Sequence, residues 1–169
     1  MSVSVSDPEF WKHRLYKAHA SGRGLHTAIY DIDSVVWEQI QEQCHGILVA
    51  NIGYNDRILD AGCGYGALVS CLHSCLRDVY YCGIDSSPDL IEIARIAYPQ
   101  RRFEVCDINQ MPQFNTWEFD WVVCRSMKNM ICRELDEWAW FSIELELLRV
   151  AKKLLIIEYE GEVTYEIAE

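Results

Sequence analysis

The chain has 169 residues, half of them apolar and 12% aromatic, and 15 Lys and Arg against 26 Asp and Glu leave a formal charge of −11. That is one domain's length with ample material for a packed core, which excludes a disordered chain. A surface this acidic repels nucleic-acid phosphates and anionic lipid unless a basic patch interrupts it, and the longest uninterrupted Lys/Arg runs are the pairs Arg101-Arg102 and Lys152-Lys153. Nucleic acid is disfavoured as a partner.

The opening Met-Ser-Val-Ser-Val-Ser-Asp-Pro has neither the basic start nor the apolar core of a signal peptide. The longest stretch without Asp, Glu, Lys or Arg, Ala61 to Leu76, is too short to span a bilayer. A soluble, cytoplasmic protein with no membrane partner is expected. Eight cysteines (44, 63, 71, 75, 82, 106, 124, 132) form no C-x-x-C pair and sit mostly in apolar segments. They read as reduced, buried thiols, and no metal site is expected.

Ser6, Pro8 and Glu9 mark a helix start, and that helix should end near Ser21-Gly22-Arg23-Gly24. A second helix fits Ser34 to Val49, striped by Val36, Ile40, Cys44, Ile47 and Leu48. From residue 57 the period alternates. Strands are expected at 57–60, 79–84, 102–106, 119–124 and 153–158, with a sixth at 163–167. The helices between them carry Leu68, Leu72 and Leu76, then Leu90, Ile93, Ala94 and Ala97, and finally, over Glu134 to Ala151, Trp138, Phe141, Leu145 and Leu148. This alternation predicts a single α/β domain over 1–169, a doubly wound, mostly parallel Rossmann-like sheet (51–169) behind two N-terminal helices (1–50).

The informative loop is Asp60-Ala-Gly62-Cys63-Gly64-Tyr65-Gly66, where a strand runs into glycines and then a helix. Its glycines permit a sharp turn and close approach of a ligand, and the helix N-terminus offers free N–H groups. Gly62-x-Gly64-x-x-Ala67 also satisfies a permissive dinucleotide fingerprint. Asp60 breaks the tie: a carboxylate there is awkward beside a pyrophosphate and suits a ligand carrying cationic groups.

This string resembles the first motif of class I S-adenosylmethionine-dependent methyltransferases. Tyr81-Cys-Gly-Ile-Asp85-Ser86 resembles the second, Phe103-Glu-Val-Cys-Asp107-Ile108 the third, and Phe119-Asp-Trp-Val-Val-Cys124 the fourth strand. The likeness covers about residues 57–158. It implies S-adenosyl-L-methionine as cofactor, with Asp85 holding the ribose hydroxyls, Asp107 facing the adenine amino group and Cys124 near the methionine part. Asp60, Gly62, Cys63, Gly64, Tyr65, Gly66, Ser86 and Ile108 complete the expected cofactor site. The chain departs from the family where Arg149-Val-Ala-Lys-Lys153 replaces a glycine-rich turn. It departs again after Glu160, where nine residues leave room for one strand instead of a closing pair. A trimmed sheet with an exposed C-terminal edge, open to an oligomer contact, is the expectation.

Methyl transfer by direct in-line displacement needs mainly alignment and a dry pocket. His26, then His13, are the candidates for a general base. The front helices, with Trp11 and Arg23 as acceptor-binding candidates, are expected to lie across the carboxyl edge. The first would be hinged at 21–24 as a lid, suiting an anionic or aromatic acceptor. The acceptor is expected to be a small molecule or a protein side chain. The alternatives are a non-catalytic S-adenosylmethionine-binding or interaction protein and, less favoured, an NAD-dependent oxidoreductase.

Overall fold

A computed structural model describes residues 8–21, 32–75, 78–159 and 163–168. In chain order these form α1 (Pro8–Ser21), α2 (Ser34–Asn51), β1 (Arg57–Ala61), α3 (Ala67–Cys75), β2 (Tyr80–Asp85) and α4 (Pro88–Ala97). There follow β3 (Arg102–Val105), β4 (Phe119–Arg125), α5 (Lys128–Glu134), α6 (Glu137–Val150), β5 (Ala151–Tyr159) and β6 (Val163–Ala168). The sheet order is β3-β2-β1-β4-β5-β6, all parallel except β6, which runs antiparallel to β5. This is the expected α/β architecture. The order reverses at β1, so the carboxyl ends of β1, β2 and β4 frame the crevice where such sheets take ligands.

Alternation along the strands sorts the core into two layers. Ile58, Tyr81, Trp121, Val123, Leu155 and Ile157 pack with α2, α3 and α4 on one face. Leu59, Cys82, Ile84, Val122, Cys124, Leu154 and Ile156 pack with α5, α6 and the loop carrying Met111 and Phe114 on the other. Asp60 therefore stands on the α2 face and Cys124 on the α6 face.

The helix expected over 134–151 is α6, which starts three residues later, at Glu137, behind Asp136, whose carboxylate accepts from the Ala139 N–H at 2.7 Å; a separate helix, α5, ends at Glu134 just before it. The buried row of α6 is Trp140, Ile143, Leu147 and Val150. Three of the four residues of the expected row lie outside, with Trp138 78%, Phe141 50% and Leu145 55% exposed, while the fourth, Leu148, is half-buried against the core. Both rows have 3-4-3 spacing, so periodicity alone does not choose. The chain passes from Val150 directly into β5, which points the Val150 row at the sheet. In α4, likewise, Leu90, Ile91 and Ala94 are buried, while Ala97 is exposed and Ile93 only half-buried.

Arg149 fastens the β3–β4 connection beneath α6. Its guanidinium donates to the Met111 and Phe114 carbonyls at 2.9 and 3.0 Å and pairs with Glu146, which itself accepts from the Met111 N–H at 2.9 Å. The segment that expectation marked as a missing glycine turn thus anchors the loop bearing Asp107.

Six of the described cysteines (44, 63, 71, 82, 106, 124) are buried and Cys132 is half-buried; all are free thiols. Among the described residues no group of His, Cys, Asp or Glu is placed to hold a metal, and no helix is long and apolar enough to cross a membrane.

Candidate active site

The cavity, about 310 Å³, opens over the carboxyl ends of β1, β2, β4 and β5. That is near the lower end of the roughly 300–1,000 Å³ of small-molecule sites. Its floor is the glycine loop. Gly62, Gly64 and Gly66 all have positive φ (72°, 55° and 85°), a region costly for residues with a Cβ. A Cβ on Gly62 would also collide with the Met127 thioether sulfur. Only glycine lets Met127 lie against the loop.

Asp85 closes the loop. One carboxylate oxygen accepts from the Gly64 N–H at 2.9 Å and the other from the Ser87 N–H at 2.9 Å. Burial pushes its carboxyl up, opposed by these two hydrogen bonds. A carboxylate has about four lone-pair sites, so both oxygens retain capacity toward the cavity. Ser87, not Asp85, caps α4, its hydroxyl accepting from the Leu90 N–H at 3.4 Å.

Asp60 is 2% exposed and accepts from the Tyr81 hydroxyl at 2.6 Å. Burial pushes its carboxyl from 3.8 to about 6; the Tyr81 bond and the Arg125 charge pull it down, and Asp85 adds to the rise. Below pH 3.8 the group is protonated in both folded and unfolded chains. As pH rises from 3.8 to about 6 the unfolded chain ionises first, so folding stability falls through this window by about 3 kcal/mol. Asp60→Asn keeps an acceptor for Tyr81 and removes that cost. Urea unfolding should find the variant more stable than its parent at pH 7 and no more stable near pH 3.5. An equal difference at both pH values would contradict this origin.

Asp107, Ile108, Ser86, Leu90 and Cys106 line the β2–β3 side of the cavity. The Asp107 carboxylate accepts from the Asn109 N–H at 2.9 Å, so it also shapes its own turn. Of the residues expected to hold a cofactor, Asp60, Gly62, Cys63, Gly64, Asp85, Ser86, Asp107 and Ile108 come together here. Tyr65, Gly66 and Cys124 do not line the cavity. A Cβ on Gly66 would press on Tyr98 and Phe103 at 3.1 Å, so that glycine serves helix–strand packing. Cys124 is fully buried among the α6-facing residues, and burial together with the Glu158 and Asp60 charges pushes its thiol well up.

The lid expectation is corrected in part. α1 packs on α4, and no described residue of α1 lines the cavity; His13 is exposed to solvent. The Trp11 side chain, Arg23, His26 and the hinge at 22–24 lie outside the described residues. The front wall comes from the second helix, through Trp37, Ile40 and Cys44. Arg125, Ser126, Met127, Met130, Glu158 and Tyr159 were not foreseen as lining residues. Ser126 sits at φ 55° just beyond β4, its N–H donating to the Ile157 carbonyl at 2.8 Å. Strain in a non-glycine residue at a strand tip is a recurrent mark of functional sites. Arg-Ser-Met carries no periodicity, so only its place after a strand could have drawn notice.

A family model described as a methyltransferase domain matches residues 58–150, and the chain belongs to that family. The 235L protein of Invertebrate iridescent virus 6, named as a methyltransferase, is 35% identical over 57 residues, 34% of this chain and 22% of the viral one. Among solved structures, the mmp1179 protein of Methanococcus maripaludis, described as an S-adenosyl-L-methionine-dependent methyltransferase, aligns with a TM-score of 0.65 at 16% identity. That alignment covers 96% of this chain and 68% of that one. The PH0226 protein of Pyrococcus horikoshii aligns with a TM-score of 0.64 at 22% identity, covering 76% and 60%. At such identities the two structures show the shared fold: a mixed, mostly parallel, Rossmann-like sheet of the class I methyltransferases. The chain spans less than two thirds of the viral and Pyrococcus proteins.

Proposed function

We propose that the cavity binds S-adenosylmethionine and that the protein transfers its methyl group to a small molecule or a protein side chain by in-line displacement. The observation that carries this reading is Asp85: a carboxylate held by the Gly64 and Ser87 N–H groups beside a glycine loop, with acceptor capacity turned to the cavity.

The lining fits the group. Asp85 would take the ribose hydroxyls. Ile108, Leu90 and Asp107 would flank the adenine. Asp60 offers its carboxylate to the amino end. Bound there, S-adenosylmethionine would supply an electrophilic methyl on a sulfonium, a leaving group that needs no acid. The chain's own contribution is alignment and exclusion of water by Met127, Met130 and Trp37 at the β4 side.

Calorimetric titration tests the reading: S-adenosylmethionine and S-adenosylhomocysteine should bind at micromolar affinity, and NAD should not bind. Binding of NAD alone would favour the dinucleotide alternative. The acidity that disfavours nucleic acid gives a second expected result. Duplex DNA should not shift in a gel at physiological salt, and submicromolar binding with a steep salt slope would contradict it.

A further inference from the structure

We infer that β6 pairs with the β6 of a second copy of this chain, antiparallel and centred on Tyr165, joining two six-stranded sheets into one. β6 is the last strand of the sheet: its inner edge bonds β5, and no described strand pairs with its outer edge. Alternate residues of such a strand turn their N–H and C=O groups outward, which makes the edge a template for another strand. The features that usually blunt an edge are missing here. Residues 163–168 contain no proline, lysine or arginine, and their register with β5 runs unbroken over six pairs. Their one charge, Glu166, is paired with Lys128 of α5.

Side-chain parity shows which face is left open. Tyr165 stands opposite Ile157 and Ile167 opposite Leu155, so both project on the α2 face beside buried core residues. Tyr165 is nevertheless 55% exposed and Ile167 41%. The apolar layer of that face therefore runs past β5 and stops at solvent. Thr164 and Glu166 project on the other face, where Lys128 reaches Glu166.

The occupant follows from self-complementarity. Two copies related by a two-fold axis through the sheet pair residues of like parity, because the axis keeps each face on its own side. Centred on Tyr165, that residue meets the partner's Tyr165, Val163 meets the partner's Ile167, and Glu166 meets the partner's Thr164. Apolar side chains then face apolar ones along the α2 face, and each carboxylate faces a hydroxyl. Centring on Glu166 would set two carboxylates opposite each other. Centring on Thr164 would leave Ile167 opposite no residue of the partner strand. A foreign strand demands no such match within β6; a second copy does, and β6 has it.

The contact reaches the cavity. Val163 and Tyr159 line it and are themselves cross-strand neighbours. The partner's Ile167, opposite Val163, would add an apolar side chain to that rim. Charge sets the conditions. Each copy carries −11, so long-range repulsion opposes pairing and salt relieves it. The contact holds no ion pair between copies, so association should tighten as salt rises.

Sedimentation equilibrium of the 169-residue chain under reducing conditions tests the pairing. A dimer should predominate at about 100 µM chain in about 0.5 M NaCl, with a dissociation constant at least about threefold lower than in about 0.05 M NaCl. Tyr165→Glu, which sets two carboxylates face to face on the axis, should raise that constant at least about tenfold. Tyr165→Phe keeps the apolar pair and should dimerise as the parent does. Trp138→Ser, on the exposed row of α6, should also leave the dimer intact. Hydrogen exchange of the parent needs no variant: peptides covering 163–168 should exchange more slowly in concentrated than in dilute protein. A parent chain that stays monomeric at about 500 µM in about 0.5 M NaCl overturns the inference. So does a dimer that survives Tyr165→Glu, that is lost with Trp138→Ser, that weakens with salt, or that leaves exchange at 163–168 unchanged.

Discussion

Asp85→Ala is expected to weaken S-adenosylmethionine binding by about 2–3 kcal/mol, roughly 30- to 150-fold. The substitution removes a charged acceptor for two hydroxyls and leaves those hydroxyls facing a site that gives nothing back. It also releases the Gly64 and Ser87 N–H groups, each bonded to Asp85 at 2.9 Å. Asp85→Asn separates the two losses, because it keeps an oxygen for one N–H but forfeits the charge. An intermediate loss is expected for Asn. Equal calorimetric affinity in parent and Ala variant would remove Asp85 from the site.

Gly83→Ala should lower stability by about 1–3 kcal/mol, and the melting temperature by about 3–10 °C. Gly83 lies within β2, where a Cβ would fall 2.7 Å from a Phe103 ring carbon and 2.9 Å from the Cys63 sulfur. Neither neighbour has room to yield. Phe103 is 3% exposed and set edge-on to Tyr81 with ring centroids 5.5 Å apart, and Cys63 belongs to the glycine loop. The strain is therefore delivered to the loop, and cofactor affinity should fall together with stability. A melting temperature within about 1 °C of the parent would show that the sheet gives way at little cost.

The part of this fold readable in the sequence is the part fixed by short-range chemistry. Strand–glycine–helix succession at 57–75 and Ser87-Pro88 as a helix start depend on neighbours a few residues apart, and the structure has them. Asp85, Asp107 and the first glycines reach the cavity because each follows a strand at the same edge of one parallel sheet. What failed depends on distant partners. The outward turn of Trp138, Phe141 and Leu145 is set by the direct entry of α6 into β5, and two equivalent apolar rows hid it. Cys124 was placed by its position at a strand end, but strand parity turns it to the α6 face. Gly66 was grouped with the ligand-facing glycines, although Tyr98 and Phe103 claim the space beside it. Met127 and Glu158 enter the site only through the strand order β1-β4-β5, which no local pattern encodes.

A crystal structure of the protein with S-adenosylhomocysteine bound tests the assignment of Asp85 and the glycine loop to the cofactor most directly. The ribose hydroxyls are expected within hydrogen-bonding distance of the Asp85 carboxylate, adenine beside Ile108 and Asp107, and the sulfur directed toward the ends of β4 and β5 where Met127 and Glu158 stand. Ligand density elsewhere on the molecule, or a nucleoside that makes no contact with Asp85, would contradict it.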